Sequence, residues 1–128
     1  MQEQYLFEYA IIRLVPKVER EEFVNIGVIM LCSPQKFLKC KLTINTNRIK
    51  SVWIETDLDV VNAHVVSFER ICAGGKDAGP IGQLTLPERF RWLTASRSTM
   101  IQTSKVHPGL CTDADRTLER LMQDHVAC

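Results

Sequence analysis

The stretch Phe23-Val24-Asn25-Ile26-Gly27-Val28-Ile29-Met30-Leu31-Cys32, then Ser33-Pro34-Gln35-Lys36, then Phe37-Leu38-Lys39-Cys40-Lys41-Leu42-Thr43-Ile44, decides the fold. Its first part is a nearly apolar strand, and a glycine inside a strand marks a bulge or a close approach of another backbone. Ser33 to Lys36 has turn chemistry. Phe37 to Ile44 alternates with period two, placing Leu38, Cys40, Leu42 and Ile44 on one face and Lys39, Lys41 and Thr43 on the other. The two strands are predicted to form a hairpin. The lysine face is expected to point to water, so that the sheet is covered on one side only at that strand.

Toward the N-terminus, Tyr5 to Val15 has Phe7, Tyr9 and Ile11 alternating with Leu6, Ala10 and Ile12. Both faces are apolar, as in an internal strand, and Pro16 ends it. With the hairpin this makes a three-stranded antiparallel meander. Toward the C-terminus, Thr56-Asp57-Leu58-Asp59 supplies a capping box, and Leu58, Val61, Val65, Phe68 and Cys72 recur at helical spacing until Gly74-Gly75 stops the helix. Gly74 to Gly82 is expected to be a flexible connector and the one plausible hinge. Thr85-Leu86-Pro87-Glu88 is a second capping box, opening a short helix through about Ala95. Thr99 to Thr103 is predicted to be a later strand. Asp113 opens a C-terminal helix whose Leu118, Leu121, Met122 and His125 share a face. The predicted fold is α+β: a mainly antiparallel sheet of the meander plus the later strand, with helices Asp57 to Ala73 and Asp113 to Ala127 packed on one face.

The chain has 128 residues, 45% of them apolar, which fills one core but not two, so residues 1–128 are read as a single domain. Charged residues make up 24% of the chain and sum to +1, so no global field draws the protein to nucleic acid or an anionic membrane. The start, MQEQYLFEYA, carries acids where a signal peptide carries Lys or Arg. The longest apolar run, Ile26 to Cys32, falls far short of a membrane span, which needs roughly 20 residues. Five cysteines, with Cys32, Cys40 and Cys72 in apolar surroundings, fit free thiols in a reducing compartment. A cytoplasmic protein is expected.

One segment is too basic for its surroundings. Glu88 to Leu110 reads ERFRWLTASRSTMIQTSKVHPGL, with Arg89, Arg91, Arg97 and Lys105 against a single acid. Guanidinium forks suit phosphate or carboxylate, and Ser96, Ser98, Thr99 and Gln102 add neutral donors. The plainer alternative is that Phe90 and Leu93 anchor a surface helix while the arginines solvate its outer side. Trp92 fits either a core or interface position or a stacking platform for bases beside the basic residues.

The blocks EYAIIRLVP, EREEFVNIGVIMLC and ERFRWLTASRSTMIQTSKVHPGL resemble the successive signatures of the bacterial family known as domain of unknown function three-zero-three-seven, over nearly the whole chain. The resemblance implies a small cytoplasmic bacterial protein, often encoded beside a kinase-like protein of the toxin type, and hence a protein partner. It carries no activity. The matching signature positions are Glu22, Asn25, Gly27, Arg89, Trp92, Arg97, Ser98, Gln102, Ser104 and His107; Ser96 departs from the pattern, standing where the family has proline.

Other chemistry has weaker support. His107, Cys111 and Asp113 provide base, nucleophile and orienting acid on paper, but a His-Pro-Gly turn, a structural cysteine and a helix cap account for the same residues. No paired short Cys or His spacing suggests zinc, and no cofactor is expected. Gly74-Gly75-Lys76-Asp77 lacks the leading glycine and the trailing Ser or Thr of a phosphate loop. The sequence therefore points to a non-enzymatic interaction or regulatory module that binds a protein partner through Arg89, Arg91, Trp92, Arg97, Ser98, Gln102, Lys105 and His107. The alternative is a nucleic-acid-binding or nucleic-acid-processing protein using the same basic patch.

Overall fold

The computed structural model describes residues 3–127. Three antiparallel strands, β1 (Tyr5–Leu14), β2 (Val24–Cys32) and β3 (Phe37–Leu42), form the expected meander. The second edge of β1 is covered by two short strands from far along the chain, β4 (Ile101–Thr103) and β5 (His107–Cys111), both antiparallel to it. The sheet order is β3-β2-β1-β4, with β5 beside β4 along β1. Four helices complete an α+β fold: α1 (Thr46–Val52), α2 (Leu58–Ala73), α3 (Leu86–Thr94) and α4 (Ala114–His125). No helix among the described residues is long and apolar enough to cross a membrane.

Gly27 does both things its position suggested. Pairing runs Ile12 to Gly27 and then Arg13 to Asn25, so Ile26 is the extra residue of a bulge. The bulge inverts the alternation of β2, which lets Ile26 and Val24 face the same core as Ile29 and Leu31. A Cβ on Gly27 would stand 2.2 Å from the Lys41 carbonyl oxygen, so only glycine lets β2 and β3 pair here.

The two long helices do not share a face, contrary to the sequence expectation. Val61, Val65, Phe68 and Cys72 of α2 join Ala10, Ile12, Leu14, Ile29 and Leu31 on one side of the sheet, together with Phe90 and Leu93 of α3. Leu118 and Leu121 of α4 join Phe7, Val28, Met30, Cys32 and Phe37 on the other. The reason lies in β2, whose residues from Ile26 to Cys32 are all buried; a strand apolar on both faces needs two covers. The Lys39 and Lys41 face of β3 is correspondingly not bare. Their ammonium groups reach Asp115 and Glu119 of α4, each at 3.0 Å. As exposed pairs they contribute little beyond orientation.

Local chemistry explains the helix starts. The Thr56–Asp59 capping box expected for α2 does not form: the Thr56 hydroxyl donates to the Trp53 carbonyl, and Asp57 caps the helix by accepting from the amides of Asp59 and Val60, as Asp113 caps α4 by accepting from the amide of Arg116. The capping box at the start of α3 is complete. The Thr85 hydroxyl accepts from the Glu88 amide at 3.3 Å. Glu88 in turn accepts from the Thr85 amide at 3.2 Å. Hydrogen bonds from Thr85 hold the Glu88 carboxyl below the usual range.

Elsewhere the structure adds to or departs from the sequence reading. The polar stretch after β3 contains α1, capped by Asn45 and holding one buried residue, Ile49. The glycine connector is folded into two single helical turns, Lys76–Ala78 and Ile81–Gln83, closed by a hydrogen bond from the Gly75 amide to the Gly82 carbonyl at 3.0 Å. His107-Pro108-Gly109 is strand, not turn, and the later strand starts at Ile101 rather than Thr99.

Candidate functional site

The basic segment begins in α3 and ends on the β4–β5 edge. The chain leaves α3 at Ala95, whose amide donates to the Trp92 carbonyl. Arg97 turns back over that end: one guanidinium nitrogen donates to the same Trp92 carbonyl, and its carbon lies 4.2 Å from the centre of the Trp92 ring. A cation capping the free carbonyls of a helix C-terminus is favoured by the helix dipole, and guanidinium on indole adds a cation–π contact. The Thr103 hydroxyl donates to the Thr94 carbonyl at 3.3 Å, tying β4 to α3. Gln102 braces the intervening loop through its amide, which donates to the Thr99 carbonyl at 2.9 Å.

Two depressions meet at Arg97. One, of about 200 Å³, lies between α2 and the end of α3 and is walled by Phe68, Ile71, Trp92, Leu93 and Ile101, with His64 on its rim. The other, of about 330 Å³, lies between the end of α3 and the β4–β5 edge and is walled by Thr94, Ser96, Thr103, Ser104 and Lys105. Ala95, Arg97 and Gln102 line both, and none of the described residues lining either is acidic. Lys105 and Arg97 form no ion pair among the described residues.

Of the residues singled out from sequence, Trp92, Arg97, Gln102 and Lys105 come together here. Arg89 does not. Its guanidinium donates to the Leu84 carbonyl at 2.7 Å and lies against Gly74, where a Cβ would be 2.8 Å from the guanidinium carbon. Arg91 and Ser98 are exposed and line neither depression. His107 sits beside Tyr9, their ring centres 5.4 Å apart, at the rim of the core that α4 covers. The four cations therefore diverge, and two of them share one hollow. Ser104 has a backbone role: its amide donates to the Ile11 carbonyl, and its hydroxyl accepts from the Ile11 amide. His64 and Ser67 of α2 line the apolar hollow without any sequence signal, because only packing brings α2 to the end of α3.

Asn25, another signature position, donates from its side-chain amide to the His125 carbonyl at 3.3 Å, holding the end of α4 to β2. The His107 and Cys111 pair does not form a dyad, because the two stand at opposite ends of β5. Four residues of extended chain hold their backbones about 13 Å apart. The Cys111 sulfur is 3.9 Å from that of Cys32, and burial, with Cys32 adding to it, pushes the thiol up to about 11. The Cys40 thiol is likewise pushed up, first by its contact with Cys72 and then by burial. Both shifts favour the unreactive protonated form. Among the described residues no three His, Cys, Asp or Glu side chains are arranged to hold a metal ion.

Comparison with known proteins gives one result. No curated protein and no solved structure matches the chain. The family model described as Protein of unknown function (DUF3037) matches residues 9–126, which takes in every strand and helix above apart from the start of β1, and the chain belongs to that family.

Proposed function

We propose that the protein is a non-enzymatic interaction module that binds a protein partner through the surface around Arg97. The observation that carries this is the meeting of two hollows at one guanidinium, with Trp92, Gln102 and Lys105 around it and no acid lining them. Buried aromatic and arginine anchors dominate protein interfaces. Trp92 is 37% exposed at the rim of a hollow, ready to be covered. The raised thiol of Cys111 argues against that residue as a nucleophile. The kinase-like neighbour implied by the family resemblance is the first partner to try.

The test is affinity capture from host lysate after nuclease treatment, comparing the parent protein with Arg97→Glu combined with Lys105→Glu. A protein retained by the parent and lost by the folded double variant supports the reading, and equal retention by both overturns it. Nucleic acid recovered without nuclease, with affinity falling steeply as salt rises, would support the nucleic-acid alternative instead.

A further inference from the structure

The two hollows share Ala95, Arg97 and Gln102 but differ in the side chains that each has alone. Of the rest, the smaller one has Phe68, Ile71, Trp92, Leu93 and Ile101 with His64, Ser67 and Thr99 beside them, and the larger has Thr94, Ser96, Thr103, Ser104 and Lys105. From this difference, and resting on the reading that the surface binds a protein, we infer that the site recognises an extended peptide segment carrying an anionic side chain and an apolar side chain on alternate residues. The anionic group enters the polar hollow beside Lys105, and the apolar one enters the hollow between Phe68 and Trp92.

The free donors decide the sign of the first group. Three of the four hydroxyls in the polar hollow donate within the protein: Thr94 to the Phe90 carbonyl, Thr103 to the Thr94 carbonyl and Ser104 to the Lys105 carbonyl. That leaves the Ser96 hydroxyl, the Lys105 ammonium and the remaining N–H groups of Arg97 facing a cavity with no carboxylate in its lining. Cations and a hydroxyl without a counter-charge suit a carboxylate or a phosphate oxygen. Arg97 is also held in place beforehand. Stacked on Trp92 and bonded to its carbonyl, the guanidinium has lost most of its rotamer freedom, so a ligand does not have to order it.

Spacing follows from the shared wall. Because Arg97 and Gln102 line both hollows, the two ligand groups must sit close together on one side of the ligand. In an extended chain alternate side chains point the same way about 7 Å apart, so such a pair of side chains suits two cavities that share a wall. Arg97 covers one face of Trp92, which leaves one face on which a base could stack.

The experiment is an amide NMR titration of the full chain with a capped hexapeptide, Gly-Ser-Glu-Ser-Leu-Gly. Variants of the peptide carry Gln for Glu, phosphoserine for Glu, or Ala for Leu, and a single-stranded oligothymidine serves as a further probe. Binding should move the Trp92 indole and the Ser96, Arg97 and Lys105 amides, and the Gln and Ala peptides should each bind at least about fivefold more weakly. The phosphoserine arm separates the two sources of anion: tighter binding assigns a phosphate, equal or weaker binding a carboxylate. Arg97→Gln, with its fold checked by amide dispersion, should weaken the parent peptide about tenfold. No shifts up to about 10 mM peptide, indifference to the Gln or Ala change, or tighter binding of oligothymidine would overturn the inference. If the peptide fails while partner capture still depends on Arg97 and Lys105, this inference falls and the partner-binding reading stands; if both fail, both fall.

Discussion

Ser104 and Ile11 are joined twice, the Ser104 amide to the Ile11 carbonyl at 2.8 Å and the Ile11 amide to the Ser104 hydroxyl at 2.8 Å. A side chain thus completes the ladder where β4 gives way to β5, so the edge of β1 keeps its amides satisfied across a break in regular pairing. Ser104→Ala leaves the Ile11 amide without its partner. The expected cost is about 1–3 kcal/mol in denaturant unfolding. A loss below about 0.5 kcal/mol would mean that water replaces the hydroxyl.

Gly27→Ala forces a methyl to within 2.2 Å of the Lys41 carbonyl oxygen, which lies in backbone that cannot rotate away. A destabilisation of about 3 kcal/mol is expected, read from the denaturation midpoint. A near-neutral result would show that β2 and β3 can separate at the bulge at little cost.

Arg89 and Arg97 should part company on mutation. Arg89→Ala removes the bond to the Leu84 carbonyl and the packing on Gly74. That change should lower stability by about 1–3 kcal/mol. Arg97→Ala should cost under about 1 kcal/mol yet weaken partner capture, because its exposed cap and stacking are locally modest while its free donors face the hollow. The reverse pattern would move the binding surface to the α2–α3 junction.

Cys111 gives a pH dependence. Its folded value of about 11 lies above the ordinary 9.0, so the folded state holds its proton more tightly than the unfolded state does. That contribution to stability is complete below about pH 9 and is lost as pH rises towards 11. At neutral pH the thiolate is scarcer than in an ordinary cysteine, so alkylation of the native protein should be slow and should accelerate with pH. Rapid labelling at neutral pH would show that the Cys32–Cys111 contact is open.

Much of the architecture was legible because its signals are local. The meander follows from two-face apolarity in Tyr5 to Val15 and Val24 to Cys32, α2 from its helical spacing and α3 from its capping box. What was not legible depended on partners distant in sequence. Pro108 and Gly109 have turn composition, but Gly109 is needed because a Cβ would meet the Phe7 ring at 2.4 Å. A proline, for its part, is tolerated on a sheet edge. Helix α1 holds one buried residue, Ile49, and so leaves no periodicity to detect. The face taken by α4 could not be read from β2, which is apolar on both. In the basic segment the excess of cations was visible in the sequence, but which of them face a common hollow was not. That depends on whether a nearby carbonyl, such as that of Leu84, takes the guanidinium first.

The pairing of β1 with two partners so different in sequence distance has a consequence during synthesis. Its β2 edge is satisfied early in the chain, but the other edge waits for residues 101–111. At ribosomal speeds that is an interval of several seconds in which a long apolar strand has an open side. The nascent chain is then most exposed to pairing with a neighbour on the same polysome, and a truncation before Ile101 would make that exposure permanent. Loss of the segment from Ile101 onward should therefore appear as insoluble protein rather than as a smaller soluble domain.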